Sequence, residues 1–235
     1  MARPRYDTGL KLTTTQRVLG WCYLPFYLVL TAWLLSWAFR KLGIPLDIME
    51  LNILYFGVNF VFVLLVFHRF LWKSFRRVRD DFWLFVQTLI LGFALYYLSS
   101  IVLSMGMGFV FGEYVVANDE VVSSLVVQNR GLMFLATVIA APIVEEVLIR
   151  GVVFGSFHRM SRYLAYAVSM LVFSLMHVWQ YVTVMDWQGI LANTLTYLPA
   201  GVALGWTYEK SGTIWCPIGL HALINALAYG ITLAF

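Results

Sequence analysis

The chain has 235 residues, 61% of them hydrophobic and only 12% charged, with a formal net charge of +4 and a mean hydropathy of +0.80. A soluble globular domain, which carries about 25% charged residues, is excluded, and apolar runs long enough to cross a bilayer recur throughout. Its two cysteines, Cys22 and Cys216, lie in or beside hydrophobic segments without ligand-like neighbours. Neither a disulfide framework nor a structural zinc cluster is supported, and each reads as a buried apolar thiol. The class that remains is all-α: a polytopic transmembrane helical bundle in a single membrane domain, residues 1–235.

Residues 1–17 are basic and polar and lack the small-residue cleavage site of a signal peptide, so this start is expected to be retained. Seven helical spans follow, at 18–39, 51–72, 83–111, 132–157, 163–179, 189–208 and 213–235. The third is long enough to tilt or to include an interfacial turn near 105–108, and 113–128 can add an eighth, re-entrant or surface helix. Trp21, Trp37, Trp72, Trp83, Trp179, Trp187 and Trp206 fall near span ends, where indoles favour the interface.

The amino-terminal Arg3, Arg5, Lys11 and Arg17, the 69–79 cluster (Arg69, Lys73, Arg76, Arg77, Arg79) and Arg159 with Arg162 fall on one side of a seven-span bundle. The other side receives Glu113, Asp119, Glu120 and Asp186, with Arg40 and Lys41 as its main basic exceptions. By the positive-inside rule the amino terminus is cytoplasmic and the carboxyl terminus is not. The 69–79 cluster reads as a contact for anionic lipid headgroups rather than for nucleic acid. Spans before about residue 131 hold almost no ionisable groups, so 1–130 reads as scaffold and 131–235 as the working part.

In that second half, Glu145 and Glu146 are adjacent, Arg150 follows Glu146 by four, His177 follows Phe173 by four, and Asn225 follows His221 by four. A charged side chain at mid-bilayer costs about 2.5–3.5 kcal/mol on insertion scales, so such groups are rare there without a task. Glu146 and Arg150 share a helix face in the favourable order for an ion pair, which alternatively does no more than lock the fourth helix to a neighbour. Glu145 has no such local partner, and a lone carboxyl in an apolar span suits proton transfer. Pro142, one turn earlier, is expected to kink the helix and open room. His221 and Asn225 share a face and can both donate to one oxygen, as an oxyanion site requires; the plainer alternative is a polar contact between helices.

Two chemistries fit. In one, Glu145 with His177 activates a water that attacks a peptide carbonyl, while His221 and Asn225 stabilise the oxyanion. In the other, Glu145, His177 and His221 bind zinc, which activates the water. No HExxH spacing supports the second, and the metal-free version is preferred, with no cofactor. Counted from the basic ends at 1.5 Å per residue, Glu145 lies about 18 Å deep, His177 about 21 Å and His221 about 12 Å, which suggests a cavity open to the cytoplasmic side. Access is expected between the fourth and last helices, where Asn193, Thr194 and Thr196 read either as liners or as interhelical contacts.

These residues resemble the CPBP family of intramembrane glutamic endopeptidases, the CAAX protease and bacteriocin-processing (Abi) group, marked by EExxxR, FxxxH and HxxxN/D in that order. Here they stand as EEVLIR from Glu145 to Arg150, FSLMH from Phe173 to His177 and HALIN from His221 to Asn225, the last within KSGTIWCPIGLHALIN. The likeness covers about 132–229, with Ile149 replacing a frequent aromatic, a matter of packing. The resemblance implies that Glu145 and His177 activate water, that His221 and Asn225 form the oxyanion site, and that Glu146, Arg150 and Phe173 support them. It makes 131–235 a catalytic core of the CPBP/Abi type.

The expected partners are a peptide or lipidated-protein substrate and membrane lipids, not nucleic acid. The substrate is either a prenylated CAAX-type protein or a bacteriocin or signal peptide, and the little extramembrane material favours the bacterial type. The expected location is a bacterial cell membrane. A non-catalytic membrane immunity or binding protein is the alternative from another class. A transporter with relay Glu and His would instead show paired broken helices in two repeated halves, whereas this chain shows charged residues deep in its spans only in the second half.

Overall fold

The structure, a computed structural model, describes residues 12–234; Arg3, Arg5 and Lys11 of the basic amino-terminal segment lie outside the described residues. The described chain is helical, with no strand among the described residues. Thr13 accepts from the Gln16 N–H and donates its own N–H to the Gln16 side chain, a reciprocal cap that starts α1 (Thr14–Lys41). Asp47 and Glu50 make the same cap for α2 (Ile48–Asp80). Next come α3 (Phe82–Phe111), α4 (Ala117–Gln128), α5 (Arg130–Phe157) and α6 (Arg162–Tyr181). The chain closes with α7 (Trp187–Thr196), α8 (Leu198–Ser211) and α9 (Trp215–Ala234).

Six of these helices, α1, α2, α3, α5, α6 and α9, are long and apolar enough to cross a membrane. The predicted span 189–208 is instead divided at Tyr197 into α7 and α8. Pro199 is the reason: it has no N–H to offer and its ring crowds the carbonyl one turn back. The two pieces still cross in series. Asn193 of α7 accepts from the Ala117 N–H and donates to the Val115 carbonyl, beyond the end of α3. Thr213, just after α8, bonds Ser74 near the opposite end of the bundle.

The other differences have equally local causes. The turn expected near 105–108 does not form, because an open backbone in an apolar surround would leave peptide groups unpaired; α3 runs on to Gly112, whose φ of +68° ends it. Helix α2 runs past 72 because Arg77 and Arg79 complement its carboxyl-terminal dipole and Ser74 bonds the chain after α8. Cys22 is exposed rather than buried, since it lies on the outward face of α1, while Cys216 is buried as expected. The surface helix expected at 113–128 is α4.

Helix α5 is the axis of the bundle. Over its most apolar 18 residues 67% is buried, against 6% for α3, most of whose side chains are exposed or half-buried. Every residue from Val144 to Phe154 is buried. Its winding is irregular: wide π-helical turns at Phe134–Ala140 and Val147–Phe154 flank an α-helical piece, Ala141–Glu146. The irregularity expected at Pro142 takes this form, with the turn before the proline loosened.

Close approach of α3 and α8 depends on Gly92, where a Cβ would meet the Thr207 methyl group at less than contact distance. Gly92→Ile should overpack this contact and destabilise the fold by about 1–3 kcal/mol, read as a lowered thermal unfolding midpoint in detergent.

Candidate active site

Three helices of the second half bring the motif residues together around α5. Glu146 Oε1 is their meeting point. It accepts from Arg150 Nη1 at 3.1 Å, one turn along the same helix, and lies 2.9 Å from His221 Nδ1 of α9. Arg150 also donates to the Gly201 carbonyl of α8 at 3.2 Å, and its guanidinium sits 4.5 Å over the Phe173 ring of α6. Phe173 in turn meets the His221 ring edge-on at 5.6 Å. Glu146 and Arg150 are completely buried. An ion pair removed from water needs partners for its remaining donors and acceptors, and the Gly201 carbonyl, the imidazole and the aromatic face supply several of them; Glu146 Oε2 and Arg150 Nε are left without one among the described residues.

Glu145, one residue earlier, faces a different environment. Its Oε1 accepts from the Tyr27 hydroxyl of α1 at 3.0 Å. The Tyr27 carbonyl accepts from the Tyr55 hydroxyl of α2 at 2.8 Å, so a second tyrosine holds the first. Glu145 Oε2 lies 3.8 Å from His221 Nε2 and is buried without a hydrogen-bond partner among the described residues. His221 thus stands between the two carboxylates, Nδ1 toward Glu146 and Nε2 toward Glu145.

His177 is held differently. Its Nδ1 is 2.8 Å from the Phe173 carbonyl, and because a carbonyl can only accept, Nδ1 carries the proton and Nε2 is the free ring nitrogen. The ring stacks on Tyr197 at 4.4 Å, and the Tyr197 hydroxyl donates to Asp119 of α4 at 2.8 Å. Among the described contacts none joins His177 to Glu145; the imidazole beside Glu145 is His221. Asn225 Nδ2 donates to the Thr137 carbonyl in the π-helical stretch of α5 at 2.8 Å, leaving a second N–H on that nitrogen.

Glu145, His177, His221 and Asn225 all line one cavity of about 480 Å³. Its floor is Glu145 and His221, both buried; its lip includes Ile48, Asp119 and Gln180, all exposed. The lining comes from α1, α2, α4 to α6 and α9, with Tyr197 between α7 and α8. The cavity therefore opens at the end where α4 lies, not at the basic end as the depth count suggested. Toward the basic end every residue from Val147 to Phe154 is buried, and none of them lines the cavity. Asn193, Thr194 and Thr196 do not line it; Asn193 braces the chain before α4, Thr194 bonds the Ile190 carbonyl, and Thr196 bonds the Ala192 carbonyl and Tyr114.

The donor set proposed for zinc, Glu145, His177 and His221, is not assembled as a ligand group; among the described residues no three His, Cys, Asp or Glu side chains are grouped to hold an ion. Sequence reasoning missed Tyr27 and Tyr55, because the first two spans read as scaffold. The available signal was a phenol in an apolar stretch, whose hydroxyl needs a partner when buried.

Residues 127–227 match a family described as Rce1-like, type II CAAX prenyl endopeptidase Rce1-like. Over 101 residues the chain is 27% identical to "Putative membrane peptidase YdiL" of Bacillus subtilis (strain 168), an alignment that takes in 43% of this chain and 37% of that protein. The chain thus spans little more than a third of that relative's length. No solved structure matches. All three motifs fall within 127–227, and their resemblance to the CAAX protease family holds over this segment.

Removing Arg150 would strand a buried carboxylate. Arg150→Met should destabilise the protein by about 3–5 kcal/mol, and adding Glu146→Gln should restore part of that loss, as read by a double-mutant cycle of unfolding in detergent.

Proposed function

Taking the CAAX-protease resemblance of segment 127–227 as premise, we propose that this multi-pass membrane protein is an intramembrane endopeptidase that hydrolyses a peptide bond without a metal. The observation that carries the proposal is Glu145 Oε2, a buried carboxylate oxygen with no hydrogen-bond partner among the described residues, on the floor of a cavity that His177, His221 and Asn225 also line. A buried acceptor left open in a cavity is a place for a water, and a carboxylate there can take its proton as the oxygen attacks a carbonyl.

Roles follow from the hydrogen bonds. Tyr27 holds Oε1, so Glu145 presents Oε2 to the water. His177, with Nδ1 committed to the Phe173 carbonyl, keeps Nε2 as a second acceptor for the same water. His221 is oriented by Glu146, and its Nε2, when protonated, donates to the tetrahedral oxyanion together with the free N–H of Asn225. The proton on Glu145 then passes to the leaving amine. Arg150 and Phe173 fix Glu146 and both imidazoles, and so act by positioning.

The proposed substrate is a membrane-associated peptide: a prenylated CAAX-type protein, or a bacteriocin or signal peptide, with the small extramembrane portion favouring the second. The proposed location is a bacterial cell membrane, with the basic end of the bundle and the amino terminus cytoplasmic.

Glu145→Gln should lower cleavage by about 10²–10⁴-fold while leaving expression and folding intact, read by mass spectrometry of peptides released from and retained in the membrane. Unchanged peptide profiles would establish the non-catalytic binding or immunity role instead. Tyr27→Phe removes one hydrogen bond to a charged group, worth about 1.5–3 kcal/mol, and should slow cleavage by about tenfold or more with little change in KM.

A further inference from the structure

The two ends of the bundle differ in charge, and the cavity opens at only one of them. Ser74, Arg77 and Gly212, Glu209 with His158 and Arg162, and Trp21 with Ser156 are joined at one end. Asn193 with Val115, Tyr197 with Asp119, Ser123 with Thr232, and Tyr229 with Arg130 are joined at the other. Of the described Lys and Arg residues, only Arg40, Lys41 and Arg130 lie at the second end, and Arg150 is buried on α5. Every other described one lies toward the first.

A bias of this size orients a membrane protein with its basic end in the cytoplasm. The lip residues Ile48, Asp119 and Gln180 belong to the opposite end, and the basic half of α5 is closed by packing. We infer that the cavity is entered from the non-cytoplasmic face, and that its substrate is a neutral or cationic peptide segment presented there. The charge of the site agrees. Among the described residues no Lys or Arg lines the cavity, whereas Asp119 stands at the lip and Glu145 on the floor. A cationic or neutral segment enters that field without like-charge repulsion, and an acidic one does not.

The substrate class rests on the peptidase reading; the side of access does not, and the two are tested separately. With only Cys22 and Cys216 to remove, Cys22→Ser with Cys216→Ala gives a thiol-free background. Gln180→Cys then reports on the lip and Arg79→Cys on the basic end, both positions being exposed. A charged, membrane-impermeant maleimide added to intact cells should modify Gln180→Cys and leave Arg79→Cys unmodified until the cells are permeabilised. The reverse pattern overturns the inference. Peptides whose release depends on Glu145 should derive from segments exposed outside the cytoplasm and lack acidic residues around the cut. A set drawn from cytosolic prenylated carboxyl termini would overturn the substrate class. If Glu145→Gln has no effect on any peptide, the peptidase reading fails, while the labelling pattern still decides which face the cavity opens on.

Discussion

A fully buried glutamate and arginine on the central helix set the terms for everything around them. Charges taken out of water cost several kcal/mol each, and mutual attraction offsets this only when the remaining donors and acceptors are filled. Glu146 and Arg150 meet that demand in part, by recruiting the Gly201 carbonyl from α8, the Phe173 ring from α6 and His221 from α9, while Glu146 Oε2 and Arg150 Nε have no hydrogen-bond partner among the described residues. Each partner comes from a different helix. The pair thus defines how three helices dock on α5, and His221 is oriented as a consequence.

The adjacent carboxylate shows the opposite solution. Consecutive residues on a helix point about 100° apart, so Glu145 cannot share the environment of Glu146. It turns toward α1 and α2, where Tyr27 satisfies one oxygen and the cavity receives the other. One carboxylate is consumed by structure and its neighbour is left available. The irregular winding of α5 accompanies this division. Its π-helical turns lie on either side of Ala141–Glu146, and the Thr137 carbonyl in the first of them receives the Asn225 amide. Wide turns of this kind occur often at functional sites, where regular hydrogen bonding has been relaxed.

Much of this was legible in the chain. Long apolar runs divided by charged loops give the helices, because backbone groups in lipid must be satisfied within each segment. Spacings of four in Glu146–Arg150, Phe173–His177 and His221–Asn225 place each pair on one helix face; His177, His221 and Asn225 line the cavity, while Glu146, Arg150 and Phe173 pack beside it. Less legible were features that depend on contacts between distant segments. Tyr27 lies 118 positions before Glu145, in a span that carries no motif, and nothing local marks its hydroxyl as the carboxylate's partner. The break between α7 and α8 was written in Pro199, yet the length of the apolar run concealed it.

The sequence by itself determined an all-helical membrane bundle and the side chains able to do chemistry, since composition and short-range periodicity act through local physics. Only the tertiary structure decided which imidazole stands beside Glu145, which carboxylate is tied up in an ion pair, and at which end the cavity opens. The reason is that these depend on how neighbouring helices pack: the turns from Val147 to Phe154 are buried toward one end of the bundle, and the cavity that Glu145 lines lies toward the other.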